Sequence, residues 1–156
     1  MKTQKRLILT ILVSLAALLL YVAPIAAQAT VTKITETESC IPTNPGTTWT
    51  FPDGNIHIRG MVLQCEDVAS DPRVTGSNTV MMNANWDTNS LGPMWGTWRL
   101  VNEGGVWEGT WEGMMTTSGS QIHITGKGQG SYEGWKLWLD GGNGAYQGRI
   151  LDPRID

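Results

Sequence analysis

Trp107-Glu108-Gly109-Thr110-Trp111-Glu112-Gly113, WEGTWEG, repeats with a period of two. Successive side chains of an extended strand point to opposite faces, so Trp107, Gly109, Trp111 and Gly113 share one face and Glu108, Thr110 and Glu112 the other. Large residues alternate with bare backbone on the first face. That suits the inside of a tightly coiled sheet, where glycine lets the strand bend and leaves volume for a neighbouring indole. The same phase separates Ile122, Ile124, Gly126, Gly128 and Gly130 from His123, Thr125, Lys127 and Gln129, and Trp135, Leu137 and Leu139 from Lys136 and Asp140.

Outward from this stretch the chain keeps the same character. No segment after Ala29 holds a 3.6-residue apolar stripe long enough for a substantial helix, and glycine is scattered throughout. Strands are predicted at 47–51, 55–66, 76–86, 93–102, 105–117, 120–130, 132–140 and 145–150. Turns fall at Pro52-Asp53-Gly54, Ser70-Asp71-Pro72-Arg73, Asp87-Thr88-Asn89-Ser90, Asn102-Glu103-Gly104-Gly105 and Asp140-Gly141-Gly142-Asn143-Gly144. About eight short strands joined by tight turns form a meander, and a meander of this size hides its edges best by closing. The expectation is an all-β fold, a small antiparallel eight-stranded β-barrel, with a β-sandwich as the alternative. Eight tryptophans against one phenylalanine make indoles the main aromatic filling. Trp95 and Trp138 lie out of phase with Trp98 and Leu137 and are expected on the outside.

The N-terminus has a basic start (Lys2, Lys5, Arg6), an apolar run from Leu7 to Tyr21 and the small-x-small pattern Ala27-Gln28-Ala29. Residues 1–29 therefore read as a signal peptide. An uncleaved anchor is the rival, because Leu7 to Ala27 is long enough to span a bilayer. The domain reading continues with a polar segment, 30–46, tied on by a disulfide, and a barrel domain, 47–156. Of the eleven Lys and Arg residues three belong to the leader, so eight face fourteen Asp and Glu and the remaining chain carries six excess negative charges. Nucleic acid is a poor partner for such a surface. Cys40 and Cys65 are the only cysteines, and an exported chain with one pair joins them. The expected location is secreted or extracytoplasmic, with no membrane association once the leader is removed.

Thr125 to Gly134 reads TGKGQGSYEG, a glycine ladder followed by an aromatic residue and Glu-Gly. It resembles the TGGSGxFEG-type segment of the allene oxide cyclase and dirigent protein superfamily, and GTWRL and WEGTWEG precede it in the order found there. The resemblance covers about residues 92–135. It implies an eight-stranded barrel with an apolar lumen, and trimeric assembly; it implies no reaction, and no catalytic residue carries over.

The sequence excludes several chemistries. The glycines of GKGQGSYEG lack phosphate-loop spacing and no GK[ST] occurs. Asp87 opens a stretch like an EF-hand loop, but Leu91 replaces an oxygen ligand and Trp98 stands where the bidentate Glu belongs. His57 and His123 stand apart, so no zinc site forms, and neither metal nor cofactor is expected. Glu108 and Glu112 lie about 13 Å apart along one strand, too far for paired glycosidase carboxylates; their ordinary role is solubility, with Arg99 or Lys136 across the strands. No GxSxG elbow is present.

Two functional readings remain. In the first the protein is not an enzyme: it binds a small hydrophobic or aromatic ligand in the lumen or serves as an assembly module, with a homo-oligomer as one form. In the second it is a cyclase- or isomerase-like enzyme confining a hydrophobic substrate. The candidate lumen residues are Trp98, Trp107, Trp111 and Trp135, with His123, Tyr132 and Glu133 as polar contacts at the mouth.

Overall fold

The computed structural model describes residues 29–153, and the expected leader up to Gln28 lies outside them. Nine strands follow one another: β1 (Thr30–Asn44), β2 (Thr47–Thr50), β3 (Ile56–Ala69), β4 (Gly76–Trp86), β5 (Gly92–Asn102), β6 (Gly105–Thr116), β7 (Gly119–Gly130), β8 (Lys136–Gly142) and β9 (Ala145–Asp152). A single 3-10 turn, Pro72–Val74, links β3 to β4, with the Asp71 side chain accepting from the Arg73 N–H at its start.

All nine strands belong to one antiparallel sheet in the order β1-β9-β8-β7-β6-β5-β4-β3-β2, and β1 pairs with β3 as well. The sheet therefore closes on itself as one ring instead of stacking in two layers. β1 meets β3 from Glu36↔Ala69 to Asn44↔Val62, and β2 meets the same edge of β3 from Thr47↔Arg59 to Thr50↔Ile56. β2 thus prolongs β1. The break between them falls at Gly46, with φ +66°, where a Cβ would lie 2.3 Å from the Arg59 carbonyl oxygen. Opposite it, Gly60 (φ +66°) sits in a bulge of β3 where the register with β4 shifts between Ile58 and Met61. The two irregularities bend both strands of the closing seam together.

Two boundaries differ from expectation. The segment 30–46 is no appendage: β1 is fifteen residues long and supplies the strand that closes the ring between β9 and β3. The disulfide Cys40–Cys65 joins directly opposed residues of β1 and β3, so it fastens the seam itself. The strand expected at 132–140 begins only at Lys136, because residues 131–134 turn, with Gly134 at φ +83° and the Trp135 N–H donating to the Tyr132 carbonyl at 2.9 Å.

The alternation of indole and glycine is the packing rule of the interior. Trp98 lies inward on β5, crosses Gly126 and donates Nε1–H to the Thr125 carbonyl of β7 at 3.1 Å. A Cβ on Gly126 would meet its Cζ2 at 2.5 Å. Trp111 of β6 likewise crosses Gly96 and donates to the Met81 carbonyl of β4 at 3.2 Å. Each indole spans the strand beside its own and satisfies its N–H on the next. Such burial contributes about 5 kcal/mol per indole as an upper bound.

One end of the ring is plugged. Trp107 stacks on Tyr132 at 5.2 Å between centroids, Tyr132 meets Trp135 at 5.6 Å, and the Arg73 guanidinium lies 4.9 Å over the Trp135 ring. Fully buried Val74 of the 3-10 turn sits beneath. Trp107 Nε1–H donates to the Arg73 carbonyl at 2.7 Å, and Tyr132 donates to Asn102 Oδ1 at 2.9 Å. On the outer face Trp95 is 37% exposed and carries Arg59 at 5.1 Å, while half-buried Trp138 carries Arg149 at 5.2 Å.

Candidate functional site: an interior cavity beside buried carboxyl groups

The unplugged half of the ring interior holds a cavity of about 170 Å³. Its apolar wall is built by Trp98, Trp111, Met82, Met94, Met115 and Ile124, all on the inward phase of their strands. Half-buried Glu38, Met115, Ser120 and Ile122 stand on its lining toward the turns at 117–118 and 143–144. Larger hollows lie on the outside of the sheet, such as the one between Thr110, Thr125, Lys127 and Trp138.

The polar side of the cavity is formed by the closing seam. Ile34, Glu36, Glu38 and Cys40 share one phase of β1, which faces inward, so two carboxyl groups enter the ring. Asp67 stands directly opposite Glu38 on β3, and Tyr146 opposite Glu36 on β9. Asn78 of β4 donates Nδ2–H to Asp67 Oδ2 at 2.9 Å and to Glu38 Oε1 at 3.4 Å, and Tyr146 donates its phenol to Glu38 Oε2 at 3.1 Å. Glu36 is 5% exposed, Asp67 2% and Asn78 5%.

Carboxylates in such a place titrate late. Burial pushes Glu36 up to about 9, reinforced by the charges of Asp67 and Glu38. Burial and then the charge of Glu38 raise Asp67 to about 7, against the opposing hydrogen bonds from Asn78 and Glu36. Glu38 is raised by burial although the Tyr146 hydrogen bond works the other way, and the Tyr146 phenol is raised in turn. Glu36 Oε2 and Asp67 Oδ1 have no hydrogen-bond donor, and burial beside another carboxyl group favours a proton held on the pair. The arrangement can accept hydrogen bonds, hold or release a proton and attract a cation.

It does not offer a metal centre. Glu38, Cys40 and Cys65 are the only three candidate ligands among the described residues with atoms within 4.8 Å of one another, and the two sulfurs are bonded to each other.

The residues singled out from sequence divide into four groups. Trp98 and Trp111 line the cavity. Trp107, Tyr132 and Trp135 are inside but packed against one another in the plug, outside the lining of this cavity. His123 is outside: its phase is opposite to Ile122 and Ile124, and its Nδ1 lies 2.6 Å from Asp140 Oδ1 on the outer face. Glu133 is exposed on the 131–134 turn. Neither of these two reaches the lumen, because β7 sends alternate residues outward and the 131–134 turn buries Tyr132 while leaving Glu133 exposed. Cys40 and Cys65 form the expected disulfide. Glu36, Glu38, Asp67, Asn78 and Tyr146 escaped notice. A signal for the first two was present in Ile34-Thr35-Glu36-Thr37-Glu38-Ser39-Cys40, where the glutamates alternate in phase with Ile34 and Cys40.

Comparison with protein-family models, curated proteins and solved structures returned no match for this chain.

Proposed function

We propose that the chain is an exported, small β-barrel of the allene oxide cyclase and dirigent type, its nine strands closing as eight staves because β2 prolongs β1, that binds one small, largely apolar or aromatic ligand in its lumen. The observation that carries this reading is the 170 Å³ cavity, walled by two indoles and three methionines and bounded on one side by hydrogen-bonding groups. A cavity of about 150 Å³ lined by apolar residues accepts benzene, so the space suits a single ring with a short substituent. A long-chain lipid does not fit. Methionine and tryptophan supply polarizable surface for such a ring. The disulfide fits an oxidising compartment, and no helix among the described residues is long and apolar enough to cross a membrane.

The test is titration of the intrinsic fluorescence of Trp98 and Trp111 with benzene, phenol, indole and 2-phenylethanol. A saturable one-to-one change is expected, and Met115→Trp, which fills the cavity, abolishes it while the circular dichroism is kept. No response from any of these compounds overturns the reading.

The proton-holding pair Glu36–Asp67 behind Glu38 favours one second reading, an isomerase or cyclase that donates this proton to a confined substrate. In that case Glu38 and Tyr146, and not His123 or Glu133, would face the substrate. Turnover that is lost in Glu38→Gln while ligand affinity is retained would favour it over simple binding.

A further inference from the structure

We propose that the ligand of this cavity is a primary amine, bound as its ammonium ion with an apolar body of about one aromatic ring. This rests on the cavity being a ligand site at all. What it adds comes from counting donors and acceptors at the polar side. The donors are spent: both contacts of Asn78 Nδ2 go to Asp67 and Glu38, and the Tyr146 phenol goes to Glu38. The atoms left over are all acceptors, namely Glu36 Oε2, Asp67 Oδ1 and Asn78 Oδ1, on side chains that are 5%, 2% and 5% exposed. A proton held on the Glu36–Asp67 pair offers one donor among these three acceptors. Asn78 Oδ1 still lacks a donor, and Asn78 and Glu38 both line the cavity.

Charge points the same way. The ionisable groups on the cavity wall are Glu38 from β1 and Tyr146 from β9, with the neutral Asn78 from β4; Glu36 and Asp67 stand behind them, close enough to act on Glu38 and Tyr146 by charge, and Glu66 acts on Asp67 from the outer face. Among the described residues Glu36, Asp67 and Asn78 are the buried polar or charged ones, with no Lys, Arg or His. The site is rich in acceptors, poor in donors and negative. An ammonium group brings three N–H donors and a positive charge. Water would bring two acceptors with its donors, and a neutral alcohol brings a single donor. The carboxylates are not gathered around a point as a metal ion would need.

The entering cation stabilises the ionised acids, so the proton held by the Glu36–Asp67 pair leaves to solvent on binding. Amine affinity should therefore rise with pH between about 6 and 8, and binding near neutrality should release close to one proton.

The experiment is isothermal titration of the full chain, disulfide intact, with 2-phenylethylamine, 2-phenylethanol and ethylbenzene in two buffers of different ionisation enthalpy. The amine is expected to bind at least tenfold more tightly than the alcohol, with a buffer-dependent heat that reports proton release. Glu38→Gln should weaken the amine at least tenfold more than ethylbenzene, which makes no polar contact, with circular dichroism as the check on folding. If Glu38→Gln does not fold, the rise of amine affinity with pH in the unaltered protein takes its place. Equal binding of amine, alcohol and hydrocarbon, or an amine affinity flat with pH, overturns the amine assignment and leaves the apolar cavity reading standing. Failure of all three to bind overturns both.

Discussion

A methyl group added at Gly126 would lie 2.5 Å from Cζ2 of Trp98, whose indole is buried and hydrogen-bonded to the Thr125 carbonyl. A rigid ring held at both ends cannot step aside cheaply, and overpacking of this kind costs about 1–3 kcal/mol. Gly126→Ala should thus lower the denaturation midpoint, although alanine is otherwise the better strand residue by roughly 0.5–1 kcal/mol. Gly60 offers the contrast. Nothing lies within 4 Å of a Cβ there, but its φ is +66°, so Gly60→Ala should cost only the left-handed backbone, about 1–2 kcal/mol. A comparison of the two variants by Trp fluorescence separates the mechanisms, since only the first should change the environment of Trp98. Glu36 is the third instructive residue. Its amide isostere keeps the shape and removes the charge, so Glu36→Gln should match the parent at pH 5.5, where the parent carboxyl holds its proton, and be the more stable protein at pH 9. Thermal melts at the two pH values check this; a variant less stable at both would show that the carboxyl makes an essential hydrogen bond.

At the scale of elements the seam between β1 and β3 is the weak line of the ring. Glu38 faces Asp67 across it, and like charges directly opposed destabilise a strand pair. Two pairs further on, on the same face, stands Cys40↔Cys65, and a cross-link closing 25 residues contributes about 3.5 kcal/mol in the chain-entropy model. Reduction, or the double substitution Cys40→Ala with Cys65→Ala, should cost about that much, and hydrogen exchange should rise first along β1. This seam is also where sequence reading stopped. WEGTWEG is legible because its inward residues are large or absent and its outward residues charged, so phase and polarity agree. In β1 they disagree: Glu36 and Glu38 face inward and the threonines between them outward, so a reader who places polar residues outside sees only a polar tail. The partner of β1 is no more visible, because β3 carries a bulge at Gly60 that shifts its register with β4, and β9 lies more than a hundred residues away. His123 is the opposite case. Its strand phase already puts it outside, and its nomination for the lumen rested on its chemistry alone.

For the molecule as a whole, the acids inside the ring tie global stability to pH in an unusual direction. In the folded state Glu36 and Asp67 titrate at about 9 and about 7, above the values of 4.5 and 3.8 expected of the unfolded chain. Across that interval the folded protein holds protons that the unfolded chain has released, so stability falls as pH rises. It is greatest below the unfolded values and lost through about pH 9. Asp71, held low by its hydrogen bond from Arg73, acts in the opposite sense, but only below its ordinary value of 3.8. The melting temperature should accordingly drop by several degrees between pH 5.5 and pH 9, a shift that needs only about 1–2 kcal/mol in a domain of this length. The seam adds a second expectation. At pH 5.5 Glu36 and Asp67 hold their protons and β1 holds to β3 through its ladder, so breaking Cys40–Cys65 removes little beyond the cross-link. At pH 9 the same cut also releases strands carrying Glu36, Glu38 and Asp67 as neighbouring anions. Reduction should therefore lower the melting temperature more at pH 9 than at pH 5.5, and Glu36→Gln should narrow the difference. Four melts, oxidised and reduced at each pH, measure the coupling; equal losses would mean that the disulfide and the buried acids act independently.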